Sequence, residues 1–170
     1  MWVIHMEEIP KIIFYGFTDF FWLLAIIVTS IPVLGAKQAS KYYVRQDPSL
    51  TAGYRRLFCR YLIWMNIPWV VMGTGMIIGK VPSLWHFFKP RDGNPYVLAW
   101  FGSLIVLMVA ITYWIFFRGG AEILIKHHGV LSISTSNPMV IKLFWLMFLS
   151  VGLLVIVMTW TADFTIPQFD

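Results

Sequence analysis

Residues 12–34 read IIFYGFTDFFWLLAIIVTSIPVL, and this stretch decides the fold class. It is long enough for a membrane-spanning helix, which needs about 20 predominantly apolar residues. Its only formal charge is Asp19, about seven residues and on the order of 10 Å inside the predicted span. An ionised side chain at that depth costs roughly 2.5 to 3.5 kcal/mol, so we expect Asp19 to face protein or water.

The composition of the whole chain agrees with this first stretch. Of 170 residues, 59% are hydrophobic and 12% are charged, with a mean hydropathy of +0.73; soluble domains carry about 25% charged residues. Three further apolar stretches, 61–79, 96–117 and 139–160, bring the number of predicted spans to four. We therefore predict an all-α integral membrane protein, in which residues 1–170 form a single four-helix transmembrane bundle with cytoplasmic helix extensions and no separate catalytic domain.

The distribution of Lys and Arg predicts the orientation. Cytoplasmic connections carry the excess of these residues, and nine of the 13 lie beside the first and third connections. We therefore predict that both termini lie outside, in a bacterial cytoplasmic (inner) membrane, with the first span acting as its own insertion signal. The nine residues are Lys37, Lys41, Arg45, Arg55, Arg56, Arg60, Arg118, Lys126 and Lys142; the other four are Lys11, Lys80, Lys89 and Arg91.

Three Asx-Pro pairs predict helix starts. Asp47-Pro48, Asn94-Pro95 and Asn137-Pro138 each combine a capping side chain with a proline suited to the first helical position. We expect the third helix to continue beyond the membrane as far as His128, with Glu122 and Lys126 paired at i,i+4 spacing.

Two basic faces lie next to the first two spans. Lys37, Lys41 and Arg45 recur every four residues and share one helical face, and Arg55, Arg56 and Arg60 precede the second span. Basic residues at this level usually contact anionic headgroups, so we predict lipid-phosphate contacts for all six. The formal charge of +5 has the same explanation, and no nucleic-acid partner is predicted.

Asp19 has small polar residues at a comparable predicted depth on the other three spans. They are Thr74, Ser103 and Ser150. Together the four residues predict an intramembrane polar layer, which either binds a cation or proton in an outward-facing cavity or fixes helix packing through hydrogen bonds.

The connection between the second and third spans, KVPSLWHFFKPRDGNPY, is too short and too rich in proline and charge to cross a membrane. We predict an outer interfacial segment that includes Trp85, His86, Lys89 and Arg91. It is a candidate for binding a quinone or a lipid headgroup, and its cations are candidates for a gate or counter-charge to Asp19.

Cofactor and catalytic motifs are sparse. Cys59 is the only cysteine, so the chain cannot form an internal disulfide or a CxxC pair. None of His5, His86, His127 and His128 lies within a predicted span, whereas haem sites in bundles use histidines that project inward. No metal site and no catalytic residues are predicted, and haem or quinone stays an alternative.

The leading functional hypothesis is a non-enzymatic accessory or scaffold subunit of a membrane assembly, bound to lipid and either homo-oligomeric or joined to other membrane subunits. It predicts that Asp19→Asn is tolerated. One alternative is a small ion- or proton-coupled transporter or channel, in which Asp19→Asn abolishes flux. The other is a haem- or quinone-binding anchor of a redox complex.

Overall fold

A computed structural model describes residues 9–130 and 135–162, with the backbone alone for residues 9–13 and 15. These residues form five α-helices: α1 (Ile9–Gln46), α2 (Thr51–Ile77), α3 (Pro95–Phe117), α4 (Gly120–Lys126) and α5 (Pro138–Thr161). Short 3₁₀ turns cover Pro48–Leu50, Leu84–Phe88 and Pro90–Asp92. The described residues contain no strand, so the prediction of an all-helical protein is confirmed.

The three Asx-Pro pairs start helices as predicted. Asp47 accepts a hydrogen bond from the backbone N–H of Ser49 at 3.0 Å and opens the 3₁₀ turn that leads into α2. The side chains of Asn94 and Asn137 accept from the N–H groups two residues later, at 3.0 and 2.9 Å, and cap α3 and α5.

Helices α1 and α2 form a long antiparallel hairpin with a fixed register. Trp22 lies over Gly73, where an added Cβ would stand 2.6 Å from the indole. Further along the same two helices, the Thr29 hydroxyl donates a hydrogen bond to Oδ1 of Asn66 at 2.8 Å. Both pairs align α2 with α1 so that residues 61–79 run beside residues 16–34.

Helix α3 packs on the other side of α2, and the connection between them closes one end of the core. Phe87 and Met72 are fully buried with Val97, Trp100 and Phe101. Two glycines at this end contact aromatic side chains: Cβ atoms added at Gly75, in α2, and at Gly79, just beyond its end, would meet Phe87 and Tyr96. Tyr96 lies in the first turn of α3, so these two glycines make room for α3 and for the connection at this end of the core.

The prediction that helix 3 continues to His128 is wrong. Helix α3 ends at Phe117, Gly119 adopts φ +67°, and α4 starts as a separate helix. Gly120 permits this break, because a Cβ there would stand 2.7 Å from the Trp114 ring. The new direction carries Glu122 to α5, where its carboxylate lies 3.6 Å from Lys142 Nζ, instead of pairing with Lys126 as expected.

Helix α5 is attached along one narrow strip. It contacts α3, α4 and the 3₁₀ turn Pro90–Asp92. Because α1 packs on α2, α2 on α3 and α3 on α5, the long helices follow one another in chain order. This arrangement does not confirm a closed four-helix bundle.

Three described helices are long and apolar enough to span a membrane. They are the part of α1 from Gly16 to Gln46, α3 and α5, with mean hydropathies of 2.0, 2.0 and 2.6. Helix α2 is not among them; Arg55, Arg56 and Arg60 precede its apolar residues, which Asn66 and Pro68 interrupt. The protein is thus a membrane-type helical protein with three candidate spans.

Candidate functional site

The two ends of the α1–α2 hairpin carry the residues that the sequence singled out. We call residues 35–60 the hairpin tip and residues 78–94 the cap segment. Since α1 and α2 are antiparallel, both predicted basic faces lie at the hairpin tip, and all six side chains are exposed: Lys37, Lys41, Arg45, Arg55, Arg56 and Arg60.

An open groove of about 590 Å³ lies beside the turn of the hairpin tip. Two of the predicted basic residues, Arg55 and Arg56, line it, together with the exposed thiol of Cys59. Guanidinium groups bind phosphate oxygens through paired N–H donors. The arrangement is suited to the predicted contact with lipid phosphate, which stays a prediction.

The turn after α4 fastens the hairpin tip to the rest of the molecule. His127 is buried; its Nδ1 lies 2.7 Å from the carbonyl oxygen of Ile123, and its ring meets the Tyr54 ring edge-on at 4.8 Å. The imidazole lies directly against Gly53, where a Cβ would overlap it. The Tyr54 hydroxyl donates to the carbonyl oxygen of His128 at 2.8 Å. The His127 ring is therefore a packed side chain, whereas His128 is exposed and contributes its backbone carbonyl to the contact.

Two ionisable groups of the hairpin tip are shifted by their surroundings. The hydrogen bonds from Ser49 hold the pKa of Asp47 below its ordinary value of 3.8, with a smaller contribution from the Lys126 charge. Burial raises the pKa of Tyr54, and the neighbouring Tyr43 adds to the rise. At neutral pH the capping carboxylate is therefore ionised and the tyrosine hydroxyl is protonated.

Asp19 lies at the opposite end of the hairpin, next to the cap segment. Its side chain is exposed and lines an open groove of about 350 Å³ between α1, the last turn of α2 and the start of the cap segment. The register of the hairpin places it beside Met76, close to the end of α2. The cation that shares this groove is Lys80, and not the predicted His86, Lys89 or Arg91.

The three hydroxyl residues of the predicted polar layer bond to their own helices. Thr74 donates to Val70 O at 2.8 Å, Ser103 to Trp100 O at 2.7 Å and Ser150 to Leu146 O at 2.9 Å. Such bonds to the preceding turn satisfy a hydroxyl locally. The structure gives no hydrogen bond between these three residues and Asp19, and a functional role for the layer stays a prediction.

The cap segment is more deeply packed than an interfacial strip. Trp85 stacks on Phe14 with ring centroids 6.3 Å apart, and His86 Nδ1 lies 3.0 Å from the Ser83 hydroxyl. Lys89 is half-buried, and Arg91 donates to the carbonyl oxygen of Thr161 on α5 at 3.2 Å. The indole N–H groups of Trp85 and Trp100 are buried without an acceptor in the described part of the chain.

The histidines and acids do not gather into a metal-binding group within residues 9–130 and 135–162. His86 lies in the cap segment and His127 and His128 lie by the hairpin tip, while His5 falls outside the described residues. The haem and quinone alternatives therefore stay predictions.

Two features were missed by the sequence reasoning. Lys80 was counted only toward orientation, although Gly79 and Lys80 at the end of the second apolar stretch could have marked the end of the helix. The contact between Gly53 and His127 joins residues far apart in the chain, and no local signal announces it.

The comparisons with known proteins found no match. No family model, no curated protein and no solved structure matches the chain.

Proposed function

We propose that the protein is a four-span integral membrane protein that serves as a non-enzymatic accessory or scaffold subunit, held laterally to another membrane protein through α5. The observation that carries the proposal is the one-sided attachment of α5. The most hydrophobic window of this helix is only 6% buried, although its mean hydropathy of 2.6 is the highest of the candidate spans.

The inward strip of α5 is narrow and regular. It repeats every three or four residues, which is the spacing of a helix seam that meets one neighbour. A Cβ added at Gly152 would overlap the end of the Met108 side chain, and Trp145 Nε1 donates to the Thr112 hydroxyl at 2.9 Å. The strip consists of Ile141, Trp145, Leu149, Gly152, Ile156 and Thr159.

The outward surface of α5 is wide, apolar and rich in residue types that protein interfaces favour. Aromatic residues and Met are enriched where proteins meet. Phe144, Met147 and Phe148 are each about half exposed, at 47%, 59% and 56%. We propose that another membrane helix, from a second copy or a different subunit, packs on this surface.

Helix α2 is proposed as the fourth span. Its residues 61–79 run beside residues 16–34 of α1 in the register set by Trp22, Gly73, Thr29 and Asn66. If this part of α1 crosses the hydrocarbon layer, α2 lies at the same depth. The Asn66 amide is satisfied there, because its Nδ2 donates to Leu62 O at 2.7 Å while Oδ1 accepts from Thr29. Four spans place both termini on one side, and the basic hairpin tip supports an outside location for the termini in a bacterial inner membrane.

Native mass spectrometry of the protein released from its membrane in nanodiscs tests the subunit proposal. We expect a complex of fixed stoichiometry. A photo-crosslinking residue at Phe148 on α5 should attach to the partner chain, and the same residue at Ile63, exposed on α2, should attach only to lipid. A monomer that carries lipid adducts alone, or equal crosslinking at both positions, would contradict the proposal.

A further inference from the structure

The groove beside Asp19 has the composition of a site for a small amphiphile. Of its eight lining residues, six are apolar and two carry opposite charges. Its volume of about 350 Å³ lies within the usual range for small-molecule sites. The lining residues are Asp19, Phe20, Trp22, Met76, Ile77, Lys80, Val81 and Pro82.

Asp19 and Lys80 lie in the same groove but do not form an ion pair with each other. Asp19 and Lys80 are both exposed, and no ion pair or hydrogen bond joins either side chain to another described residue. The groove therefore offers one acceptor and one cation to a ligand, and a ligand that carries both charges would satisfy both.

The backbone conformation of Lys80 is fixed by hydrogen bonds on both sides of it. Lys80 is the one described non-glycine residue with positive φ, at 49°. A left-handed conformation is unfavourable for a residue with a Cβ, and such strain persists where the surrounding structure imposes it. Here the N–H of Gly79 donates to Thr74 O at 3.3 Å and the N–H of Val81 donates to Gly75 O at 3.1 Å, so the bonds on both sides hold Lys80 in this conformation.

In the proposed four-span topology, on which this inference rests, the groove lies close to the level of the lipid headgroups. Asp19 lies beside the last turn of α2, which ends at Ile77, and Lys80 follows in the cap segment. In a membrane that contains α1, the end of the neighbouring helix is where hydrocarbon gives way to headgroups. Phe20, Trp22 and Ile77 supply the apolar surface along which an acyl chain would lie.

We propose that this groove binds the headgroup of a zwitterionic aminophospholipid such as phosphatidylethanolamine. Lys80 contacts the phosphate, and Asp19 accepts hydrogen bonds from the primary ammonium. A choline headgroup carries the same charges, but its methylated nitrogen has no N–H to donate. Asp19 therefore selects for the primary amine, while the apolar lining selects for a lipid over a soluble zwitterion.

Native mass spectrometry of the full chain in nanodiscs tests this site. The nanodiscs contain equal amounts of phosphatidylethanolamine and phosphatidylcholine with identical acyl chains. We expect one retained phosphatidylethanolamine per chain, preferred over phosphatidylcholine by about threefold to tenfold, as for a partly exposed charge-assisted contact. Asp19→Asn keeps an oxygen acceptor but loses the charge that strengthens the hydrogen bond, so it should lower the preference for phosphatidylethanolamine. Lys80→Gln should lower retention of both lipids.

Matched variants of charges outside the groove serve as controls. Asp92→Asn and Lys89→Gln lie in the cap segment and should retain lipid as the unaltered chain does. Equal retention of the two lipids by the unaltered chain would overturn the site, as would the same loss in Asp19→Asn and Asp92→Asn. Displacement of the lipid by soluble phosphoethanolamine at equal concentration would overturn the assignment to a phospholipid. An unchanged melting temperature in each variant shows that the substitutions leave the fold intact.

Discussion

At the scale of single residues, Gly53 is the point where the hairpin tip meets the turn after α4. A side chain at position 53 would occupy the space of the His127 imidazole, which is itself held between Tyr54 and the carbonyl oxygen of Ile123. The ring therefore has little freedom to withdraw. The tip and α4 are coupled by this contact as much as by the hydrogen bond from Tyr54 to His128.

Gly53→Ala should lower the free energy of unfolding by about 1 to 3 kcal/mol, the usual cost of overpacking. Gly35→Ala is the matched control, because a Cβ there meets nothing within 4 Å. That control should gain roughly 0.5 to 1 kcal/mol from helix propensity. Thermal unfolding in detergent, followed by tryptophan fluorescence, measures both. If both variants have a melting temperature above that of the unaltered chain, the proposed contact between Gly53 and His127 is wrong.

We predict that the local stability of the hairpin tip depends on pH through Asp47. Its pKa is lower in the folded protein than the ordinary value of 3.8. A depressed carboxyl pKa stabilises the fold above the ordinary pKa, and this stabilisation is lost as pH falls through the folded pKa. The measurement is amide hydrogen exchange of the peptide around Ser49, corrected for intrinsic rates. The amides of this peptide should be equally protected at pH 7 and pH 5 and should lose protection below pH 3.8.

Asp47→Asn removes the titrating group and keeps an oxygen acceptor for the cap. In the Asp47→Asn variant, the protection of the Ser49 peptide should not depend on pH. In the Asp47→Ala variant, the amides of this peptide should exchange faster at every pH. A loss of protection in Asp47→Asn that follows the same pH course would show that another group is responsible.

At the scale of the helices, the hydrogen bond between Thr29 and Asn66 is a polar link between the apolar surfaces of α1 and α2. The hydrogen bond from Thr29 to Asn66 fixes the register. Asn66→Leu should destabilise the protein by about 0.6 kcal/mol, and by no more than about 1.7, the range measured for hydrogen bonds between membrane helices. Thr74→Val is the control, since Thr74 bonds only within its own helix. Denaturation in mixed micelles measures the difference, and equal stabilities for the two variants would contradict a link through Asn66.

Local chemistry explains which helix boundaries were predictable. Asp47, Asn94 and Asn137 cap helices through side chains that act within two residues. The break between α3 and α4 was not predicted, because Gly119 and Gly120 follow an apolar helix and precede a good helical sequence. The decisive contact, the Trp114 ring over Gly120, exists only after the chain has turned.

At the scale of the whole molecule, hydrophobicity predicted the class of protein but not the order of packing. The four apolar stretches are alike in length, and nothing in them shows that α5 is held along one strip. The candidate site was predictable only in part for a similar reason. Asp19 is conspicuous as a charge in an apolar stretch, but Lys80 lines the same groove only because of the register in which α1 and α2 pack.

In the proposed topology, α2 crosses the membrane and the hairpin tip lies inside. Cys59 lies near the start of α2 and is exposed, and Asp92 lies in the cap segment beyond its end and is also exposed. The direct test is labelling of intact cells with a membrane-impermeant maleimide, applied to the unaltered chain and to Asp92→Cys in a Cys59→Ser background. We predict that Cys59 is protected until the membrane is permeabilised and that the cysteine at position 92 is labelled at once. Labelling of both from the same side would show that α2 does not cross the membrane and would contradict the account.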